Sequence, residues 1–252
     1  NYLFLANLTI HTKMANSYFQ FKQFTVWHDR CAMKVGTDGV LIGAWCDVDA
    51  CRRILDVGCG TGLISLMIAQ RTPDRTMIEG VEIDAVAAEQ AAENTDRSPW
   101  KNRLRIHTSD FLDFATSTTV RYDHIVSNPP YFEKSLLPED VARLTARHTG
   151  CLTYESLLRG AVSLLLPGGR ISLIFPAGLH DSVSAIAREY GLFVRRTMWV
   201  SGREGMPPKR VMVEWVNKPS EIREEHNLAI ETAPLEWTPE YIDLTRDFYL
   251  QL

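Results

Sequence analysis

Short runs of β-branched and apolar residues alternate with helical patterns from Arg53 to Val216. This alternation is typical of a sheet whose parallel strands are joined by helices on both faces. It predicts strands at 53–57, 77–83, 104–108, 122–127, 170–175, 192–200 and 211–216. Because only a short turn-rich loop separates the last two strands, they should pair antiparallel. We therefore expect an α/β, Rossmann-like fold with a seven-stranded, mostly parallel sheet and an antiparallel terminal hairpin.

The intervening segments predict helices at 63–70, 85–94, 153–166, 179–190 and 239–250. Asp84 should cap the second of these helices, and Pro167-Gly168-Gly169 should end the third. No repeat or linker interrupts the pattern, so we expect one domain over 21–252 and an N-terminal extension over 1–20. Met14-Ala15 resembles a translation start, which suggests that residues 1–13 are upstream sequence without a function.

The composition is that of an ordinary globular protein, with 45% hydrophobic and 23% charged residues. A net charge of −4 does not indicate a nucleic-acid binder, although a local cluster of Lys and Arg would suffice for one. The five cysteines form no C-x-x-C pair and no two histidines have metal-binding spacing, so we expect reduced thiols and no metal. The apolar run 2–5 is too short to cross a bilayer. We expect a cytoplasmic monomer without membrane contact.

A glycine-rich loop, Gly58-Cys59-Gly60-Thr61-Gly62, follows the first predicted strand and precedes a helix. Glycines at such a turn allow positive φ angles and let a ligand approach the backbone closely. The G-x-G-x-G spacing differs from the G-x-G-x-x-G of dinucleotide sites, and the absence of a following G-K-[ST] excludes a P-loop. Cys59 fits the role of a small loop residue better than that of a nucleophile.

Three acidic residues, Asp56, Glu82 and Asp110, lie at the ends of the first three predicted strands. Asp56 could hold an ammonium group, because the opposite charge favours it there. Glu82 lies where a carboxylate accepts from ribose hydroxyls, unless it is a solvated charge at the strand end. Asp110 either accepts from an adenine amine or only caps the next helix. With Ile83 and Phe111 beside two of them, these acids predict an S-adenosylmethionine site.

The tetrapeptide Asn128-Pro129-Pro130-Tyr131 follows the fourth predicted strand, at the carboxyl edge where ligands bind in such sheets. Proline ends strands and asparagine favours turns, so the tetrapeptide could be only a strand terminator. That interpretation does not explain why it lies two elements beyond a matching glycine loop.

The same four residues suit reaction at a planar amino or amide nitrogen, whose delocalised lone pair makes it a poor nucleophile. The Asn128 side-chain oxygen and the Pro129 carbonyl would accept its two hydrogens and stabilise the positive charge that develops as it attacks a methyl group. Pro130 stiffens the loop, and Tyr131 offers a face on which a base can stack. No strong general base is needed, because the methylated ammonium is acidic and can lose its proton afterwards. Much of the rate would come from holding nitrogen and methyl in line. We predict a methyltransferase.

These motifs resemble those of the class I amino-methyltransferases with an N-P-P-[YF] motif. Segments 21–38, 98–100 and 248–250 make the chain similar to the bacterial tRNA(Val) adenine N6-methyltransferases, from about Phe21 to the C-terminus. The resemblance implies methyl transfer to N6 of the adenine just 3′ of the anticodon of a valine tRNA. It also implies that a segment ahead of the sheet covers the cofactor: Lys34, Gly36, Thr37 and Asp38. Without the resemblance, that segment would be an ordinary turn before a helix.

Basic residues that could contact tRNA phosphates fall into three regions of the sequence. They are Lys22, His28 and Arg30 before the sheet; Arg143, Arg147 and His148 after the tetrapeptide; and Arg195, Arg196, Arg203, Lys209 and Arg210 around the last two strands. Each one alone could be a solvated surface charge. Their occurrence on both sides of the tetrapeptide predicts a shared rim, and binding through such a rim weakens steeply with salt.

Four alternatives compete with this interpretation. A protein-glutamine N5-methyltransferase has a carboxamide substrate that fits the same two acceptors, but it would favour a peptide-binding domain ahead of the sheet. The second alternative is another RNA or DNA amino-methyltransferase that acts on adenine or guanine. A DNA enzyme of this kind usually needs a target-recognition domain, and none is visible in the sequence. A nicotinamide-dependent oxidoreductase would leave the tetrapeptide unused and has the wrong glycine spacing. A non-catalytic binding protein would not require every motif position to be filled.

Overall fold

The computed structural model describes residues 16–31, 33–130, 152–220 and 223–251. Its strands are β1 (Tyr18–Gln20), β2 (Thr25–Trp27), β3 (Arg53–Val57), β4 (Met77–Glu82), β5 (Leu104–Thr108), β6 (Tyr122–Ser127), β7 (Leu165–Pro176), β8 (Phe193–Arg203), β9 (Arg210–Val216), β10 (Glu224–Ala233) and β11 (Glu236–Trp237). Its α-helices are α1 (Thr37–Trp45), α2 (Leu63–Arg71), α3 (Ala85–Asp96), α4 (Phe111–Ser117), α5 (Tyr154–Leu164), α6 (His180–Glu189) and α7 (Pro239–Thr245).

Nine strands form one sheet in the order β5-β4-β3-β6-β7-β9-β8-β10-β11. Strand β9 runs antiparallel to both of its neighbours, and β11 runs antiparallel to β10. The remaining neighbours pair in parallel. The carboxyl ends of β3, β4, β5, β6, β7, β8 and β10 therefore meet at one edge, which we call the carboxyl edge, and β9 begins there. A separate two-stranded sheet contains β1 and β2.

The predicted fold class is confirmed, since each of the seven predicted strands is present and the last two pair antiparallel. Side chains alternate between two apolar cores on opposite faces of the sheet, as a strand's period of two requires. Ile54 packs in the core that contains α1 and α2, and Leu55 packs in the core that contains α5 and α6. Both side chains are fully buried. Burial on both faces explains why these strands have nearly continuous apolar sequences.

Several predicted boundaries are wrong. The helix predicted over 153–166 ends at Leu164, because Leu165 already pairs with Tyr122 at the start of β7. The segment Pro167-Gly168-Gly169 ends no helix; it lies within β7 as an irregularity where Gly168 has a φ of 79°. The last helix is shorter than predicted, and β10 and β11 extend the sheet beyond the seven expected strands.

The N-terminal boundary also differs from the prediction. Residues 18–20 form β1 and pair with β2, so the folded unit begins before residue 21. Phe19 contacts the rings of Phe21 and Tyr249, at centroid distances of 4.7 and 5.9 Å. These contacts join the N-terminal hairpin to the C-terminal segment. Residues 1–15, on which the prediction of upstream sequence falls, lie outside the described residues.

Candidate active site

The glycine loop follows β3 and opens α2, as predicted. Gly58, Gly60 and Gly62 have φ angles of 68°, 53° and 79°, which L side chains rarely adopt. A Cβ atom at Gly58 or Gly60 would meet no atom within 4 Å, so these two positions face open space. The loop is anchored to the neighbouring strand because the Gly58 N–H donates to the Val81 carbonyl at 2.8 Å. The result is a backbone surface that a ligand can approach closely.

Glu82, at the end of β4, is bonded to the glycine loop. Its Oε2 accepts from the Gly60 N–H at 2.8 Å, and its Oε1 accepts from the Asp84 N–H at 3.0 Å. A carboxylate has about four acceptor positions, so both oxygens retain capacity for further donors. Glu82 is therefore held in a defined position and is not simply a solvated charge at a strand end. Its neighbour Ile83 is exposed.

Asp56, two residues before the loop, is fully buried. Its Oδ2 accepts from the Ser65 N–H at 3.0 Å and from the Ser65 Oγ–H at 2.7 Å. Its Oδ1 is buried and has no hydrogen-bond partner among the described residues. Burial raises the pKa of this carboxyl to about 7, against the lowering effect of the Ser65 bonds. A cationic group at Oδ1 would satisfy the buried oxygen and favour the ionised form.

The motif regions meet in one cleft of about 370 Å³ at the carboxyl edge. Its lining comes from the segment before α1, the glycine loop, the first turn of α2 and the tetrapeptide. The lining residues are Met33, Lys34, Gly36, Thr37, Asp38, Gly39, Gly58, Cys59, Gly60, Thr61, Leu63, Ile64, Asn128, Pro129 and Pro130. The structure thus brings together segments that lie almost a hundred positions apart in the sequence.

Strand register explains why the tetrapeptide lies beside the glycine loop. Val57 pairs with Ser127 in the parallel β3–β6 ladder, and the Ser127 Oγ–H donates to the Val57 carbonyl at 2.7 Å. The next residues along the two strands, Gly58 and Asn128, therefore leave the sheet as neighbours. Asn128 is half-buried, Pro129 is buried and Pro130 is exposed. The predicted Tyr131 lies outside the described residues.

The chain matches a family model described as methyltransferase small domain over residues 41–184. A tRNA1(Val) (adenine(37)-N6)-methyltransferase of Bacteroides fragilis is 48% identical to it over 240 residues, covering 95% of this chain and 100% of that protein. A protein of the same name from Yersinia pestis is 45% identical over 92% of this chain and 93% of its own length. The chain belongs to the tRNA1(Val) (adenine(37)-N6)-methyltransferase family. The resemblance inferred from the sequence motifs is confirmed.

A solved structure adds support for the fold of this family member. A protein from Agrobacterium tumefaciens, described as a predicted O-methyltransferase, aligns with a TM-score of 0.66 over 84% of this chain and 96% of its own. Its sequence identity to this chain is 21%, so this likeness concerns the fold alone.

Not all of the predicted cofactor residues line the cleft. Asp110 caps α4, since its Oδ1 accepts from the Leu112 and Asp113 N–H groups at 2.7 and 3.3 Å. In this structure, Asp110 is therefore a helix cap, the second of its two predicted roles. The Phe111 side chain is buried in the core against Gly160, which argues against direct contact with a ligand. Cys59 lines the cleft, and burial raises the pKa of its thiol, so it is not an activated nucleophile.

The predicted basic rim is only partly present. Arg195 and Arg196 are near the start of β8, at the amino edge of the sheet and opposite the cleft. The prediction that they share a rim with the tetrapeptide is wrong, because β8 runs parallel to β7 and only its end reaches the carboxyl edge. Arg203, Lys209 and Arg210 do lie at that edge, where β8 ends and β9 begins. Arg147, with Arg143 and His148, falls outside the described residues.

Three N-terminal basic residues have structural partners. His28 is buried, with Nε2 bonded to the Asn16 carbonyl at 2.8 Å and Nδ1 accepting from the Val35 N–H at 3.4 Å, which argues against a phosphate contact. Lys22 donates to the Arg246 carbonyl, and Arg30 forms ion pairs with Glu89 and Glu93. Lys22 and Arg30 thereby attach the N-terminal segment to the C-terminal segment and to α3.

The sequence prediction missed residues whose function depends on tertiary position. Leu63 and Ile64 line the cleft from the first turn of α2, and their place directly after the glycine loop was an available signal. Arg210 pairs with Asp38 at 2.9 Å across 172 positions of sequence, a contact that no local pattern indicates. Among the described residues, no group of His, Cys, Asp and Glu has the arrangement of a metal site. No helix in the described ranges is long and apolar enough to span a membrane.

Proposed function

We propose that the chain transfers a methyl group from S-adenosylmethionine to the exocyclic N6 of adenine 37 in a valine tRNA. The observation that carries this proposal is the single cleft in which Asn128, Pro129 and Pro130 meet the glycine loop. Relatives of the same named activity that align over nearly the whole chain support the choice of acceptor. A tRNA substrate supports a cytoplasmic location for the reaction.

Two features of the structure fit the cofactor. The buried, unpartnered Oδ1 of Asp56 suits the ammonium of its methionine moiety, and the open space at Gly58 and Gly60 admits a ligand against the backbone. Glu82 would accept from the ribose hydroxyls with the acceptor capacity that its backbone bonds leave. Lys34, Gly36, Thr37 and Asp38 would cover the cofactor from the opposite wall. When bound, S-adenosylmethionine supplies an electrophilic methyl group.

The chain's contribution to the reaction is to hold and polarise the adenine amine. The Asn128 side-chain oxygen and the Pro129 carbonyl would accept its two hydrogens and draw the nitrogen towards tetrahedral geometry. The same two dipoles stabilise the positive charge that develops on nitrogen, which is the main electrostatic effect available here. Since Pro129 and Pro130 both lack an N–H, neither of these residues adds a backbone donor beside the Pro129 carbonyl. Tyr131 would stack on the base, and the methylated nitrogen loses its proton to solvent.

We expect Glu82→Ala to weaken binding of S-adenosylhomocysteine by about 100-fold. Hydrogen bonds to a charged acceptor contribute about 1.5–3 kcal/mol each, and the variant loses those to ribose as well as the anchor of Gly60. Isothermal titration calorimetry measures the effect, with thermal unfolding as a check on folding. Glu82→Gln, which keeps a neutral acceptor, should be intermediate. Glu189→Ala on the exposed surface of α6 is the control, and equal affinity in Glu82→Ala and Glu189→Ala would contradict the assignment.

The proposed substrate is tested by methyl transfer to transcripts of valine tRNA. With labelled S-adenosylmethionine, we expect label in the transcript with adenine at position 37 and recovery of N6-methyladenosine after digestion to nucleosides. A matched transcript with guanine at position 37 should remain unlabelled. Label in the guanine transcript would contradict the proposed position, and label only in added protein would favour the glutamine alternative.

A further inference from the structure

A second groove, which we call the aromatic groove, opens next to the cleft. It has a volume of about 690 Å³, within the range of small-molecule sites in proteins. Its walls are β1, the carboxyl-edge ends of β8 and β10, the residue Trp237 in β11, and the C-terminal segment from α7 onward. Thr37, the first residue of α1, lines both this groove and the cleft. A ligand that fills the cleft at this point can therefore continue into the groove.

Aromatic side chains dominate the wall of the groove. Trp237 and Tyr241 lie with ring centroids 5.4 Å apart, and Tyr249 lies 5.9 Å from Phe19. The Tyr241 hydroxyl donates to the Tyr249 hydroxyl at 3.4 Å, which links the two pairs. Tyr241 is buried and fixed, whereas Trp237 remains 39% exposed. Rigid aromatic faces that reach solvent are suited to stacking against a planar group.

The charge and exposure of the groove favour a base over a charged ligand. Glu231 carries the one formal charge among its described lining residues, and Arg203 pairs with it at 3.3 Å. The wall is therefore close to neutral, while Lys209, just before β9 at the carboxyl edge, adds a positive charge that could attract a phosphate. Leu235, two residues before Trp237, is 84% exposed and has a φ of 67°. A non-glycine residue with this φ stores backbone strain, which tends to be kept at functional sites.

We propose that the aromatic groove binds an unpaired nucleobase of the RNA substrate, next to the adenine that enters the cleft. The inference rests on the proposed function, because it assigns the second site to the same RNA. Proteins that recognise single-stranded loops splay the bases out and stack them on aromatic side chains. Every base has a π face, so such a site strengthens binding with little sequence preference. Thr37 is the residue at which the groove adjoins the cleft.

The test uses Trp237→Ala and the anticodon stem-loop of valine tRNA as the probe. Because stacking of a base on an aromatic side chain contributes about 1–3 kcal/mol, the dissociation constant should rise about 5- to 150-fold. Trp237→Phe should restore most of the affinity. Phe193→Ala is the matched control, since Phe193 is 37% exposed and lies at the opposite edge of the sheet. Fluorescence anisotropy with saturating S-adenosylhomocysteine measures all four proteins.

Two further measurements separate stacking from a general structural effect. The slope of log affinity against log salt should be unchanged in Trp237→Ala, because the lost contact involves no phosphate, whereas Lys209→Ala should reduce it by about one. A stem-loop with an abasic nucleotide beside position 37 should bind the unaltered protein weakly and show no further loss with Trp237→Ala.

The failures of the two proposals can be told apart. Unchanged stem-loop affinity in Trp237→Ala, with N6-methyladenosine still formed by the unaltered protein, would overturn the groove assignment alone. The groove assignment would also be overturned if Trp237→Ala reduced affinity equally for the intact stem-loop and for every stem-loop with an abasic nucleotide beside position 37. No binding of the stem-loop by the unaltered protein would overturn both the groove assignment and the proposed function.

Discussion

Replacing Asn128 by alanine should lower kcat for methyl transfer by about 10²- to 10³-fold, the effect of removing one preorganised group that stabilises transition-state charge. The amide oxygen is proposed to act on the amine only as its nitrogen becomes positive, so the loss should appear in kcat more than in KM. The main proposed cofactor contacts come from Asp56, Glu82 and the glycine loop. Affinity for S-adenosylhomocysteine should therefore change by no more than a few-fold.

Single-turnover transfer to the valine tRNA transcript measures the chemical step, and calorimetry with S-adenosylhomocysteine measures the cofactor site. Asn227→Ala provides the matched control, because Asn227 is an exposed asparagine in β10. It should retain full activity. If Asn128→Ala turned over at a near-normal rate, the proposed role of the tetrapeptide would be wrong.

The sheet could be predicted from the sequence because its central strands are buried on both faces. Strands β3, β5 and β6 begin and end at the predicted residues. In β3 and β6 a short apolar or β-branched run meets glycine or asparagine at its end, and these residues mark the boundary. Strand β5 lies at the edge of the sheet, and Leu104 is its one buried residue. The glycine loop and the tetrapeptide were predictable for the same reason, since each is contiguous and directly follows a strand. The segment 34–38 was indicated by the family resemblance alone.

The outer elements were not predictable because their sequences lack such a pattern. Strand β10 has the sequence EEHNLAIETA, and Leu228 is its one buried residue. Its position is fixed by backbone pairing with β8 rather than by an apolar face. Strands β1 and β2 have three residues each, too few for a periodicity to appear.

The errors in the predicted site come from tertiary geometry. The sequence predicts His28 to be an exposed basic residue, but the N-terminal segment packs on the domain and its imidazole ring is buried. Arg195 and Arg203 lie in the same strand, yet they reach opposite edges of the sheet and only Arg203 is near the cleft. Charge and sequence proximity cannot separate such residues, since strand length and direction decide where each side chain lies.

Arg195 belongs to a buried charge network at the amino edge, and Glu214→Ala should destabilise the fold by about 3–5 kcal/mol, the cost of breaking a buried ion pair by removing one partner. Glu214 is fully buried in the apolar strand β9. Arg195 bonds to it directly, and Arg196 lies 3.8 Å away. Burial lowers the pKa of the nearby His124 to about 4, so that imidazole is neutral near pH 7 and does not share in neutralising Glu214. Arg195 and Arg196 are the arginines nearest to the buried carboxylate among the described residues, and Arg170 adds positive charge from further away.

Without Glu214, Arg170 and Arg195 would be balanced by Asp47 alone. The Asp47 Oδ2 lies 2.8 Å from the Arg170 guanidinium and 3.1 Å from that of Arg195. For a domain of this size, the midpoint of thermal unfolding should fall by about 6–20 °C. Calorimetry or circular dichroism at pH 7 measures the shift. Glu214→Gln, which keeps hydrogen-bond acceptance without the charge, should lose less, and the exposed Glu189→Ala should change stability by no more than about 0.5 kcal/mol. If Glu214→Ala and Glu189→Ala unfolded at the same temperature, the network would contribute nothing to folding, and Arg195 would again be available as a contact for RNA at the amino edge.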